Sequence, residues 1–170
     1  MQTASLSRFW LLLLCWSTTG TASAASVNVT LEPNASQIVY SPPACNITAP
    51  TCDSAWCFLP SPDIASGIIS STEGPTVGSG ALVPQLFLTF TGIGLYIRTS
   101  NLSTATANVT LSTQDPTVSI TTQVHTAAGL ITVVDLPPNR ATTLALTYIP
   151  ANYSTRLDIS NITIVTAANG

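Results

Sequence analysis

The sequence predicts an all-β fold, an antiparallel β-sandwich of about eight to ten strands. Short segments rich in Val, Ile, Thr and aromatic residues alternate between apolar and polar positions with a period of two. Turn-forming residues separate these segments at regular spacing. No segment keeps the 3.6-residue period of an amphipathic helix over three turns. Two sheets that face each other across an apolar interior satisfy this pattern.

The stretch 85–98, QLFLTFTGIGLYIR, predicts two strands around which the others are arranged. Aliphatic side chains occupy alternate positions in each run, which places them on one face of a pleated strand. Gly92 and Gly94 allow a turn or a bulge between the runs. We therefore expect a hairpin in the middle of a sheet. Its buried residues should be Leu86, Leu88, Phe90, Ile93, Leu95 and Ile97.

Further strands are predicted on both sides of this hairpin. Before it, strands at 27–31 and 36–40 precede a Cys- and Pro-rich loop at about 41–80, in which short strands are expected at 56–59 and 67–70. The predicted strands after the hairpin are 105–112, 117–124, 130–136, 144–148 and 157–165. Gln114-Asp115-Pro116 and Pro137-Pro138-Asn139 supply turns between them.

Charged residues make up only 6% of the 170 residues, and there is no lysine. The four cations, Arg8, Arg98, Arg140 and Arg156, are scattered along the chain. A nucleic-acid partner requires a cluster of cations that displaces counterions from phosphate. The composition therefore excludes nucleic-acid binding and leaves Ser and Thr hydroxyls to make the surface soluble.

Residues 1–24 have the layout of a secretory signal peptide. Arg8 precedes an apolar run at 9–16, and Ala22-Ser23-Ala24 forms an A-x-A cleavage site. The apolar run is too short for a membrane-spanning helix, which needs about 20 residues. We expect cleavage after Ala24, a single secreted domain at 25–170 and no transmembrane segment in the mature chain.

Three cysteines, Cys45, Cys52 and Cys57, remain after the leader is removed. Export favours disulfides, so we expect one bridge and one spare thiol. Each of the three pairings is compatible with the spacing. No histidine lies near these cysteines and their spacing fits no common zinc site, so neither a metal nor a cofactor is expected.

Seven sequons fit the N-x-[ST] rule and predict N-glycosylation. They begin at Asn28, Asn34, Asn46, Asn101, Asn108, Asn152 and Asn161. Asn28 and Asn108 alternate with apolar residues and should lie on the solvent face of half-buried strands. For Asn161, either a bulge near Ser160 turns the side chain outward or the sequon is unused.

The sequence predicts no catalytic residues. His125 is the only histidine, and no G-x-S-x-G elbow accompanies it. The seven acids are dispersed, so no spacing forces the facing pair of carboxylates that a glycosidase needs. A hydrolase therefore ranks last among the functions that we weigh.

Sugar binding would require an aromatic platform with a few polar groups around it. Trp56, Tyr96 and Tyr153 are the available platforms, and Arg98, Asp53 and Asp115 are their polar neighbours in sequence. We name Trp56, Tyr96 and Arg98 as candidate ligand-binding residues. The competing interpretation makes Trp56 a lid on the core beside a disulfide. It makes Tyr96 and Arg98 an outer-face pair on one strand.

Residues 88–97, LTFTGIGLYI, resemble the F-x-F-x-G-x-x-V-Y-V motif of a jelly-roll extracellular domain abundant in mushroom-forming fungi. Residues 136–146 are similar to that family's L-x-x-G-x-H-T-L-x-L, although Asn139 and Ala141 stand near the positions of its Gly and His. The resemblance covers roughly 36–166. It implies a fold like that of carbohydrate-binding modules, and it transfers no catalytic residue and no ligand.

These observations together predict a secreted, N-glycosylated, non-catalytic module that acts outside the cell or at its surface. Its expected partners are extracellular glycans or cell-wall polysaccharide. The alternative is a purely structural cell-surface or wall glycoprotein with no small ligand. The two differ in whether an aromatic side chain is open to solvent on a polar face.

Overall fold

A computed structural model describes residues 25–45, 56–61, 67–114 and 116–168. These residues form eleven strands and one 3-10 turn at Thr126–Ala128, with no α-helix among them. The strands are β1 (Ser26–Leu31), β2 (Ile38–Ser41), β3 (Cys57–Pro60), β4 (Ile68–Thr72), β5 (Gln85–Thr91), β6 (Gly94–Thr99), β7 (Thr106–Gln114), β8 (Thr117–His125), β9 (Leu130–Val133), β10 (Ala141–Ile149) and β11 (Leu157–Ala167).

The strands form two antiparallel sheets, which confirms the predicted β-sandwich. The six-stranded sheet has the order β3-β4-β11-β6-β9, and β1 also pairs with β11. The five-stranded sheet has the order β2-β5-β10-β7-β8. β3 and β4 lie within the Cys- and Pro-rich stretch, where two short strands were predicted.

The predicted hairpin at 85–98 is wrong, because β5 and β6 belong to different sheets. β5 pairs with β2 and β10, whereas β6 pairs with β9 and β11. Between them the chain crosses from one sheet to the other at Gly92. The backbone N–H of Ile93 donates to the carbonyl oxygen of Val165 at 2.7 Å and so ties the crossing to the six-stranded sheet.

The predicted aliphatic rows are buried between the sheets. Leu86, Leu88 and Phe90 on β5 alternate with half-buried or exposed residues, and Leu95 and Ile97 on β6 face them. Ile93 is the exception, because it lies in the crossing and is half-buried. The sequence-distant strands add Leu144, Leu146, Tyr148, Leu157, Ile159 and Ile162. Burial of each large apolar side chain contributes about 1.5–3 kcal/mol.

Strand β11 contains the bulge that the Asn161 sequon required. Its register against β6 shifts between Ile159 and Asn161, so Ser160 is inserted without a partner. Ile159 and Ile162 both reach the core as a result, and Asn161 turns to the outer face. The bulge is thus confirmed, and use of the sequon stays a prediction.

The expectation that β1 is half-buried is wrong. Asn28 and Thr30 lie on the outer face as predicted, but the alternating Val27 and Val29 are 51% and 45% exposed. β1 pairs only with β11, and of its apolar side only Leu31 is half-buried against the core.

The structure decides between some of the predicted cysteine pairings. Cys57 is a free thiol, so neither of the two pairings that involve it is formed. Cys45 is disulfide-bonded, and its backbone N–H donates to the carbonyl oxygen of Trp56. Cys52 lies outside the described residues, so the pairing of Cys45 with Cys52 stays a prediction.

Candidate functional site

A polar depression of about 430 Å³ lies on the outer face of the six-stranded sheet. Four strands contribute to it: β1, β6, β9 and β11. The side chains that line it are Asn28, Thr30, Tyr96, Arg98, Leu130, Asn161 and Thr163. An aromatic ring, a guanidinium, two amides and two hydroxyls therefore meet on one surface.

Strand alternation and pairing explain why these residues meet. Tyr96 and Arg98 point outward because Leu95 and Ile97 point into the core. Thr163 on β11 lies opposite Tyr96, and its hydroxyl is 3.0 Å from that of Thr30 on β1. The bulge at Ser160 brings Asn161 to the same side, next to Arg98.

A second depression of about 480 Å³ adjoins the first, and Arg98 and Asn161 line both. Its other walls come from Ser61, Ile69, Thr99, Ser100, Asn101, Leu102, Gly129 and Ser160. We call the two depressions together the polar trough. The trough is open to solvent, and its two depressions meet at Arg98 and Asn161.

Arg98 is the only charged residue that lines the described part of the trough. Its guanidinium forms no ion pair within the described ranges, where Arg156 and Asp158 make the one ion pair, at 2.7 Å. No carboxylate lines the trough there, so this surface offers hydrogen-bond donors and an aromatic face but not the acid–base pair of a glycosidase.

Trp56, the first of the three predicted platforms, is fully buried, so it cannot act as an open platform. Its indole N–H donates to the carbonyl oxygen of Gln85 at 3.1 Å, and its ring lies 5.0 Å from that of Tyr40. This burial agrees with the interpretation of Trp56 as a lid on the core, and the position of a disulfide beside it stays a prediction. Tyr153 is 71% exposed in the loop after β10 and is not among the residues that line the polar trough. Asp53 and Asp115 lie outside the described residues.

His125 is exposed at the end of β8, where its Nδ1 lies 3.1 Å from the hydroxyl of Thr106. None of its hydrogen bonds within the described chain is to an acid. No group of three His, Cys, Asp or Glu side chains that could hold a metal occurs in the same part of the chain. No described helix is long and apolar enough to cross a membrane.

The sequons show a feature that sequence analysis missed. Asn28, Asn101 and Asn161 all line the polar trough. Asn34 and Asn152 are exposed, Asn108 is half-buried on the outer face of the other sheet, and Asn46 lies outside the described residues. Only the pairing of β1 with β11 brings Asn28 to Asn161, and no local pattern in the sequence contains that pairing.

No protein-family model matches the sequence. No curated protein matches it either. Similarity is found only among solved structures, at sequence identities that show the fold alone.

The fold is similar to part of a family two carbohydrate esterase from Cellvibrio japonicus, with 11% identity and a TM-score of 0.54. The match covers 84% of this chain and 35% of the esterase chain, so this chain spans about a third of the esterase's length.

Carbohydrate-binding modules are also among the structural neighbours. A mutant of the family 29 module CBM29-2 matches over 84% of this chain and 93% of its own, with 11% identity and a TM-score of 0.47. The non-crystalline cellulose specific module CBM28 matches over 64% and 78%, with 14% identity and a TM-score of 0.32.

Proposed function

We propose that this protein is a secreted, N-glycosylated, non-catalytic module that binds carbohydrate through the polar trough. The observation that carries the proposal is the meeting of Tyr96 and Arg98 with Asn161, Thr163 and Thr30 on one open face. The predicted leader at 1–24 supports export, and the seven sequons support glycosylation. The ligand class is an extracellular glycan or a cell-wall polysaccharide.

The chemistry of the trough suits a sugar chain. The faces of pyranose rings are apolar enough to stack on an aromatic side chain such as Tyr96, while their edges carry hydroxyls. The Arg98 guanidinium donates several hydrogen bonds in a fixed geometry, and the amide of Asn161 both donates and accepts. Since the two depressions adjoin, neighbouring sugars of one chain would contact Tyr96 in the first and Asn101 in the second.

Screening the purified, enzymatically deglycosylated chain on a glycan and polysaccharide array tests this proposal. Tyr96→Ala should weaken binding to any positive ligand about tenfold, as expected for an aromatic anchor. Tyr153→Ala is the matched control, because Tyr153 is an exposed tyrosine outside the trough. Silence of the whole array, or equal loss in both variants, would contradict the proposal.

A purely structural glycoprotein is the second candidate function, and one specific observation favours it. Asn28, Asn101 and Asn161 are sequon asparagines that line the trough, so glycans attached to them would cover the proposed binding face. Carbohydrate binding therefore requires these three asparagines to be largely unglycosylated, whereas a structural glycoprotein would carry glycans on them.

A further inference from the structure

An apolar groove of about 490 Å³ lies at the edge of the sandwich that is formed by β8 of one sheet and β9 of the other. We call it the edge groove. Its walls are mainly aliphatic side chains: Val109, Leu111, Val118, Ile120, Val124, Ile131, Val133, Val134 and Leu136. The volume is in the range of ligand pockets, which is about 300–1,000 Å³.

The groove is open because the two edge strands differ in length. β8 has nine residues and β9 has four, so the six-stranded sheet does not cover the whole inner side of β8. Val118 and Ile120 remain 45% and 62% exposed although they line the groove. Contiguous exposed apolar surface of this kind commonly marks a binding site.

One end of the groove is polar. Thr142 lines it there, and its hydroxyl is fully buried without a hydrogen-bond partner among the described residues. An unsatisfied buried hydroxyl is costly and needs an explanation. The Thr142 side chain can exchange its methyl and hydroxyl positions by rotation about χ1 and so turn the hydroxyl toward a ligand.

The groove lining also contains a cation. Arg140 lies two residues before Thr142, lines the same groove and forms no ion pair in the described part of the chain. Asp135, the other charge of the lining, follows β9 and so belongs to the opposite wall. At the far end of the groove, Val124 and Ile131 provide apolar walls. The groove is therefore amphipathic along its length.

We propose that the edge groove binds a fatty acid, with its alkyl chain between β8 and β9 and its carboxylate at Arg140 and Thr142. From Val118 to Val124, β8 extends about 20 Å at the usual rise per residue, which accommodates an extended alkyl chain. Burial of the chain would remove the exposed surface of Val118 and Ile120 from water. This binding is separate from the carbohydrate site, since the two linings share no residue.

Calorimetric titration of the purified full chain with dodecanoate tests the proposal. We expect one saturable site, with decanoate bound about tenfold more weakly because two fewer methylenes are buried. Ile120→Asp should abolish binding, whereas Val77→Asp, a valine 61% exposed in a loop outside the groove, should leave it unchanged. An absence of saturation, or equal affinity in both variants, would overturn the proposal.

The head-group end is tested by charge changes. Arg140→Gln should weaken dodecanoate binding roughly fivefold, and Arg98→Gln, which changes an arginine outside the groove lining, should not. Asp135→Asn should strengthen binding, because it removes a like charge from the rim.

Thr142→Val should weaken binding yet raise the stability of the ligand-free chain. Equal affinities in wild type and Arg140→Gln would refute the carboxylate position, and a dimer that buries the groove and excludes dodecanoate would refute the occupant.

Discussion

Tyr40 and Trp56 show how a single aromatic contact joins two sheets. Tyr40 is on β2 in the five-stranded sheet, and Trp56 directly precedes β3 in the six-stranded one. Their ring centroids are 5.0 Å apart, and Phe58 meets Tyr40 edge-on at 5.7 Å. The Tyr40 hydroxyl donates to the carbonyl oxygen of Pro33 at 2.6 Å. The Tyr40 ring thus lies in an apolar environment, and its hydroxyl proton is hydrogen-bonded.

This setting makes the free energy of unfolding depend on pH in the alkaline range. Burial raises the pKa of Tyr40 to about 12. The nearby Ser70 hydroxyl lowers this pKa in part, although it does not form a hydrogen bond of normal geometry. Below pH 10 both the folded and the unfolded chain keep the proton. Between pH 10 and about 12 the unfolded chain releases it and the folded chain does not. The free energy of unfolding should therefore fall with rising pH, by about 1.4 kcal/mol per pH unit.

Urea unfolding at a series of alkaline pH values measures this slope. Tyr40→Phe should flatten the slope between pH 10 and 12, because phenylalanine has no proton to release. Tyr153→Phe, in which an exposed phenol is removed, should leave the slope as in the wild type. A slope that is unchanged in Tyr40→Phe would show that other groups cause it.

At the residue scale, burial could be predicted where it depends only on the position of a residue within its own strand. The burial of Leu86, Leu88 and Leu95 followed from alternation alone, since every second position of a half-buried strand faces the core. Trp56 was ambiguous, because an aromatic ring serves equally as a core lid and as a sugar platform. Its burial depends on Tyr40 and Gln85, which reach it from another sheet.

At the scale of elements, the crossing between β5 and β6 depends on Gly92. A β-carbon at this position would lie 2.7 Å from the carbonyl oxygen of Val165 and 2.8 Å from Cγ2 of Ile164. The same carbonyl accepts the hydrogen bond from Ile93 that anchors the crossing. Only a residue without a side chain lets β5 end in one sheet and β6 begin in the other.

Gly92→Ala should therefore destabilise the chain by about 2 kcal/mol or more, because β11 would have to move away from the crossing. Gly78→Ala is the control: its β-carbon meets open space, and its φ of 81° alone should cost about 1 kcal/mol. Urea midpoints of both variants give the comparison. Equal losses of stability in the two variants would mean that the close approach of Gly92 to Val165 does not contribute to the effect.

The wrong hairpin has a physical cause at this scale. Alternation determines which face of a strand is buried, but it carries no information about which strand lies alongside. Two glycines between apolar runs are compatible with a tight hairpin and with a crossing between sheets. The contact of Gly92 with Val165, more than 70 positions later in the sequence, selects the crossing.

At the scale of the whole molecule, a buried polar network joins the two sheets at one end. Asp158 is fully buried on β11, where it pairs with Arg156 and accepts a hydrogen bond from Ser100. The hydroxyl of Ser103 accepts from the backbone N–H of Asp158 and donates to Thr126 in the connection from β8 to β9. The buried members Asp158, Ser103 and Thr126 thus all have hydrogen-bond partners within the network.

Only part of the candidate site could be predicted from the sequence. Tyr96 and Arg98 were identified as an outer-face pair because they share a strand. The rest of the trough depends on pairings between distant segments, such as the 133-residue separation between the hydroxyls of Thr30 and Thr163. No pattern within a short window specifies which strand neighbours β11, so the sequence could not show that three sequons meet at one surface.

That meeting leads to a prediction about glycan occupancy. If the trough binds carbohydrate in the native protein, Asn161 must stay largely unmodified, since it lies between the two depressions and its glycan would cover Tyr96 and Arg98. Asn108, on the outer face of the other sheet, has no such constraint. Mass spectrometry of the secreted chain should therefore find low occupancy at Asn161, and enzymatic removal of the N-glycans should leave sugar binding unchanged within about twofold. Full occupancy at Asn161, together with binding that appears only after the N-glycans are removed, would instead identify the trough as a glycan-covered surface and favour the structural glycoprotein.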